Sequence, residues 1–355
     1  VREKLSELDK PSGIAGEAML RAETPQEQQT LIGLGRRNLI MNGGFDVWQR
    51  GTSITTTGNG YGINYTSDRW IAYFIGTYSK QSTSLPNGDY VNYFRGVLGA
   101  GGSNRLNINQ AIENGNSLLS GKNVTVSFWL KCNIANKSIL LRLLAVNNST
   151  FSSYAVLGQD TFHTDTAWKK YEITVPCIND TANISSRPHA ILEIDGVDAD
   201  WGNGDTFEIA QVQIETGKVA TPFEHRSYGE ELALCQRYFE RLEDLTSTDS
   251  NGASSTETLI GLGYCYTTTR VMGHVTWKVT KRVNPTCTVS PVTDIQCLSS
   301  AGAWISATGV DVRANKNSAR LDITTGSAMS AAGHACEVRF NTSSPVGYIY
   351  IAAEL

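Results

Sequence analysis

Apolar residues recur at every second position in several stretches of the chain. In "NVTVSFWLKC", Val124, Val126, Phe128, Leu130 and Cys132 share one face; Thr125, Ser127, Trp129 and Lys131 share the other. "KYEITVPC" repeats the alternation with Tyr171, Ile173, Val175 and Cys177. A period of two over such runs predicts half-buried strands. "ILLRLLAV" (139–146) is apolar on both faces and predicts a central strand. In "TFEIAQVQIE" the apolar positions are odd-numbered at Phe207 and Ile209 and even-numbered at Val212 and Ile214. That change of parity predicts a β-bulge or bend near Ala210.

Alternation resumes toward the C-terminus. Val275, Trp277 and Val279 point inward in "HVTWKVT", as do Ala319, Leu321 and Ile323 in "ARLDITT" and Cys336, Val338 and Phe340 in "ACEVRFNT". "GYIYIAAEL" ends the chain as a strand. Turn-formers in "NGDY", "GAGGSN" and "GNGD" separate the earlier runs, and no βαβ rhythm appears. The expected fold class is all-β: an antiparallel jelly-roll β-sandwich, one linking helix, and a second, smaller C-terminal β-sandwich. Residues 1–37 read as a connector, 38–226 as the jelly roll, 227–243 as the helix and 244–355 as the C-terminal domain. "RNLIMNGGFDVWQRGTS" opens the first domain, starting like a strand and breaking at two glycines.

Two segments carry helix signals. In "TPQEQQTLIGLG", Thr24 caps, Pro25 suits the first turn and Glu27 completes a capping box, with Gly33 or Gly35 as the stop. Its connector is poor in apolar surface and needs a partner chain or a neighbouring domain to be ordered. "SYGEELALCQRYFERL" offers Ser227 as cap with Glu230 three residues later. Leu232, Cys235, Phe239 and Leu242 then recur at helical spacing as a narrow seam. Two readings stand: the helix packs on its own sandwich, or the four residues form an oligomer seam between identical chains.

Composition narrows the function classes. The 355 residues carry a net charge of −4, so no general attraction to nucleic acid or anionic membrane is expected. No apolar run approaches the roughly 20 residues that span a bilayer. The chain opens on Val1, as a fragment or processed product does, and no signal peptide is legible. Seven cysteines, an odd number without a CxxC pair, argue against a disulfide framework or a zinc knuckle. They read as reduced, mostly buried thiols of a protein assembled in a cytoplasm. The N-x-S/T triplets at Asn123, Asn148 and Asn183 read as chance in an Asn-rich β protein.

Catalytic signatures are missing. There is no G-x-S-x-G elbow, and the five histidines never take HxH or HExxH spacing. "GAGGSN" lacks the Lys-Ser/Thr ending of a phosphate loop. The densest acidic stretch, "EIDGVDADWGNGD", holds Asp195, Asp198, Asp200 and Asp205. Asp198, Asp200, Asn203 and Asp205 loosely suit Ca²⁺, without the EF-hand pattern; a solvated turn and a catalytic acid are the competing readings. Aromatics are the remaining resource. Tyr61, Tyr65, Trp70 and Tyr73 cluster in "GYGINYTSDRWIAY", and Trp201 sits in the acidic turn. Flat rings beside Asn and Asp suit a pyranose and its hydroxyls. Tyr61, Tyr65 and Trp201 are therefore candidate carbohydrate contacts. Core packing is the competing role, above all for Trp48 and Trp70, with Asp68–Arg69 as a surface pair.

"NLIMNGGFDVWQRGTS", "SDRW" and "QVQIETGKVATPFEHRSYGEELALCQRYFERL" together resemble the jelly-roll region of bacteriophage tail fibres and receptor-binding proteins. "NLIMNGGFD" is also similar to jelly-roll carbohydrate-binding modules. "ETPQEQQTLIGLG" looks like the short helical connectors that precede tail-fibre domains, and "YIYIAAEL" resembles the last strand of tail-fibre tips. The resemblance implies a homotrimeric virion protein, assembled in the host cytoplasm and joined to other tail or baseplate proteins through its N-terminus. Its partner would be bacterial surface polysaccharide, bound without catalysis, with no nucleic acid and no membrane insertion. Related modules hold a structural Ca²⁺ near the first and last strands. Asp46 is the matching acidic position, whereas the Gln211/Gln213 strand carries no matching Asp; no other cofactor is implied. A tail-associated depolymerase, a purely structural fibre segment and a module of a bacterial enzyme are the alternatives.

Overall fold

Alternating strands bury one face each, and two sheets satisfy that demand by facing one another. The computed structural model describes residues 37–56, 64–100, 106–147, 154–196, 201–243, 247–248, 254–255, 259–329, 331–340 and 348–354. The capping-box helix expected after Thr24 lies outside them.

The first unit holds β1 (Ser53–Thr56), β2 (Asn64–Tyr65), β3 (Trp70–Ala72), β4 (Gly76–Ser84), β5 (Tyr90–Leu98) and β6 (Asn107–Ile112). A short helix α1 (Gly115–Leu119) precedes β7 (Asn123–Cys132), β8 (Ser138–Val146) and β9 (Tyr154–His163). β10 (Lys169–Pro176), β11 (His189–Gly196) and β12 (Thr206–Thr216) complete it. One antiparallel sheet runs β1-β4-β5-β12-β7-β10, the other β2-β3-β6-β11-β8-β9. The chain passes repeatedly between the two, giving a jelly-roll sandwich. Val124, Val126, Phe128 and Leu130 of β7 meet Ile139, Leu141 and Leu143 of β8 in one core, with Tyr171, Ile173 and Val175 of β10.

The expected bulge is present. Register between β12 and β7 shifts between Ala210 and Gln213, and Gln211 takes a φ of 49°. Phe207, Ile209, Val212 and Ile214 all reach the core as a result. The opening stretch explains its glycine pair at the same place. Residues 37–40 are not a strand, although the Leu39 amide donates to the Ile214 carbonyl (3.1 Å). The Val212 amide donates to the Gly43 carbonyl (2.9 Å). A Cβ on Gly43 would lie 2.1 Å from the Val212 carbonyl oxygen. Gly43→Ala is expected to cost about 1–3 kcal/mol by forcing the two backbones apart, read as a lower urea midpoint.

Ser227 caps α2 (Tyr228–Gln236), its hydroxyl accepting from the Glu230 amide at 3.3 Å. The helix stops at Gln236, and Phe239 and Leu242 lie on β13 (Phe239–Glu243). The seam of Leu232, Cys235, Phe239 and Leu242 is thereby corrected: two residues are helical and two extended, so they share no face. Cys235 and Phe239 are buried within their own chain, and Leu242 packs on the C-terminal core. Helix propensity loses here to pairing of β13 with a strand near the C-terminus.

Beyond the two-residue strands β14 (Ser247–Thr248) and β15 (Ser254–Ser255) lie β16 (Leu259–Thr267), β17 (Arg270–Thr276) and β18 (Thr286–Val289). They are followed by β19 (Ile295–Leu298), β20 (Trp304–Ala314), β21 (Ser318–Thr325), β22 (Ala335–Phe340) and β23 (Tyr348–Ala352). β13-β23-β18 form a three-stranded sheet, and β16-β17-β21-β20-β19-β22 form a closed barrel. The chain is all-β as expected, but this unit closes into a barrel where a sandwich was expected. β22 pairs with both β16 and β19, which removes the free edges. All seven cysteines are free, and all but the half-buried Cys287 are buried.

Candidate functional site

The structure separates the residues that the sequence proposed. Tyr61, Asp198 and Asp200 lie outside the described residues. Trp201 is completely buried in the sandwich core, its ring against Gly196, where no side chain intervenes. Tyr65 is half-buried, with the Arg50 guanidinium 4.7 Å from its ring centre. Burial, and then the Glu354 carboxylate, push its hydroxyl up. Neither ring offers a sugar an open face. Asp68 and Arg69, expected as a surface pair, are 1% and 2% exposed.

Asp46 and Asp205 serve local structure. Asp46 accepts from the Asn92 amide at 2.6 Å. Asp205 caps its own turn through the Gly202 amide, also at 2.6 Å. Among the described residues no three His, Cys, Asp or Glu side chains converge as a metal site.

A different face gathers aromatic and charged groups: the outer surface of sheet β1-β4-β5-β12-β7-β10. Alternation aims Trp129 of β7 away from the core. It stands opposite Ala210 on β12 and Lys170 on β10, and the small Ala210 leaves room for the indole. Leu85, Val91 and Ala210 form an apolar floor with Trp129, and the half-buried Tyr93 and Trp168 pack on it. The Tyr93 and Trp168 rings meet edge to face at 5.2 Å between centres. Trp168 immediately precedes β10, whose start fixes its position.

Charge lies beside these rings. Glu208 of β12 pairs in register with Arg95 on β5 and Lys131 on β7. Its two oxygens lie 3.4 Å from Arg95 Nε and 3.0 Å from Lys131 Nζ. The carboxylate is buried, while the two cations are 41% and 39% exposed. Burial raises the Tyr93 hydroxyl pKa, with Glu208 adding to it, so the phenol stays a neutral donor and acceptor. The arrangement offers ring surface for stacking and, at its side, outward N–H groups held by a buried anion. Alternation puts Trp129 on the polar face of its strand, which is the one sequence signal for this site. Tyr93 and Trp168 become neighbours only through sheet order.

No family model matches the chain, and no curated protein matches it. Solved structures do. A CBM4 structure is 17% identical with a TM-score of 0.31, over 50% of this chain and 98% of that one. A putative sugar binding protein from Bacteroides thetaiotaomicron is 14% identical with a TM-score of 0.33, over 51% of this chain and 100% of that one. Bacteriophage CBA120 tailspike protein 4 is 14% identical with a TM-score of 0.30, over 46% of this chain and 22% of that one. At these scores the likeness carries no inference about this chain's ligand.

Proposed function

We propose that this chain is a non-catalytic glycan-binding attachment protein, and that its ligand lies across Tyr93 and Trp168, above the buried Trp129. The observation that carries this reading is an aromatic platform on an outward sheet face beside the Arg95–Glu208–Lys131 clamp. A pyranose stacks its apolar face on a ring and offers its hydroxyls to charged donors. The finer reading is a bacteriophage tail fibre or receptor-binding protein that joins a virion to host surface polysaccharide. It rests on the resemblance of the motifs around residues 36–70 and 206–242. A homotrimer belongs to the same reading, with three weak sites adding avidity of about 10²–10⁴. Since Cys235 and Phe239 are buried within their own chain, such a trimer would meet through other surfaces.

A glycan array of bacterial surface polysaccharides tests this. Binding is expected without release of reducing ends and without a metal, so a chelator leaves it unchanged. Trp168→Ala and Tyr93→Ala are each expected to weaken it about tenfold, near 1.4 kcal/mol. Reducing ends released from a bound polysaccharide would make the protein a depolymerase. Retention of binding by both variants would remove the site from this face. The mass of the assembly in solution separates a trimeric fibre from a monomeric binding module.

A further inference from the structure

The C-terminal barrel carries a second exposed surface, unrelated to the Trp129 face. Its strands point apolar residues inward, so the alternate residues of β16, β17, β20 and β21 face solvent. Leu262 is 67% exposed, Tyr264 47% and Tyr266 52%. Register pairs Tyr264 with Met272, and Met272 in turn with Asp322. His274 stands opposite Arg320 in the next row. A shallow groove of about 360 Å³ runs between these side chains. The Tyr264 hydroxyl donates to Met272 Sδ at 3.2 Å, fixing one wall.

The charges beside the groove are organised by a single carboxylate. Asp322 is 4% exposed, and three guanidiniums from three strands surround it. Arg270 lies at 3.3 Å, Arg320 at 2.9 Å and Arg313 at 3.8 Å. Arg313 also reaches Asp311, at 3.1 Å. Three guanidiniums against two carboxylates leave an excess positive charge. Each guanidinium has five N–H donors and spends few of them on these contacts. The three side chains are 45%, 42% and 63% exposed for Arg270, Arg320 and Arg313. Arg270 also lies 5.9 Å from the centre of the Tyr266 ring.

We propose that this face, built from Tyr264, Tyr266, Met272, Arg270, Arg313 and Arg320, is a second ligand site that selects anionic saccharides. Exposed rings stack a sugar ring, and a guanidinium fork takes its carboxylate in bidentate geometry. Charge complementarity chooses this occupant over the others. A nucleic acid calls for a long basic stripe, and this chain has a net charge of −4. A second copy docked face to face would oppose two positive patches.

The test measures binding of the intact chain to polygalacturonate oligomers, with neutral gluco-oligosaccharides as control. Polygalacturonate is expected to bind and to weaken as salt rises. Arg313→Ala with Arg320→Ala is expected to reduce that affinity about tenfold. Arg270 remains in this double variant to pair with Asp322. Tyr264→Ala, at a ring 47% exposed, is expected to act in the same direction with the fold retained. Trp168→Ala should leave polygalacturonate binding unchanged, which separates this site from the one proposed above. Absence of polygalacturonate binding, or its persistence in both the Arg pair and the Tyr264 variant, would overturn the proposal. Equal competition by duplex DNA would overturn it too, as would self-association abolished by Tyr264→Ala.

Discussion

Replacing Lys281 with alanine is expected to lower stability by about 3–5 kcal/mol, because it leaves a dry carboxylate alone. Lys281 and Glu240 are both 0% exposed in their side chains, with Nζ 2.5 Å from Oε2. Nζ also donates to the Gln236 carbonyl at 2.6 Å, at the end of α2. The Lys278 amide donates to both Glu240 oxygens, at 3.3 Å to Oε1 and 3.2 Å to Oε2. The pair therefore ties the end of the helix and β13 to the segment after β17. Without the ammonium, the buried Glu240 charge is left, among the described residues, with the forked contact from the Lys278 amide. Urea denaturation of the intact chain measures the loss. Lys281→Met combined with Glu240→Leu removes both charges and is expected to recover most of it. A midpoint for Lys281→Ala equal to the parent's would mean that water reaches Glu240.

Arg69→Ala is expected to cost a similar amount, about 3–5 kcal/mol, and to loosen the junction between the two units. Arg69 has a φ of 72°, which turns the chain immediately before β3. Its guanidinium pairs with Glu354, donates to the Ala111 carbonyl at 2.8 Å and lies 3.7 Å from the centre of the Tyr238 ring. Arg50 approaches the same carboxylate at 3.1 Å and stacks over Phe239 at 3.4 Å. A jelly-roll turn, the linking segment and the C-terminal tail thus converge on one planar cation. Lysine has neither the fork nor the plane, so Arg69→Lys is expected to rescue little. Thermal unfolding reports the stability, and limited proteolysis reports release of the C-terminal tail. An Arg69→Ala variant with parental melting and unaltered cleavage would show that Arg50 alone holds Glu354.

The "SDRW" motif shows how far a sequence can be read and where reading stops. Trp70 was legible as core, and it is completely buried, its indole donating to the Asn42 carbonyl at 2.9 Å. Asp68 and Arg69 looked like an exposed pair because adjacent opposite charges usually are. Nothing within the motif announces the tail residue Glu354 and the Tyr238 ring that receive Arg69, or the Gln49 amide groups that donate to Asp68. The same asymmetry applies to the candidate sites. Alternation turned Trp129 outward, yet Tyr93 and Trp168 meet it only because β5 and β10 are drawn to the same sheet as β7.

What the chain's own residues determined was local. The period of two set the strand faces, the parity change set the bulge at 210–213, and Ser227 set the start of α2. Each depends on backbone geometry within a few residues, so neighbours in sequence suffice. Tertiary structure decided the rest: the end of that helix at Gln236, the burial of Trp201 and Arg69, and closure of the barrel. These depend on which distant strand supplies the missing hydrogen bonds and which remote side chain balances a charge. An alternating pattern states that one face must leave water; it does not state what will cover it.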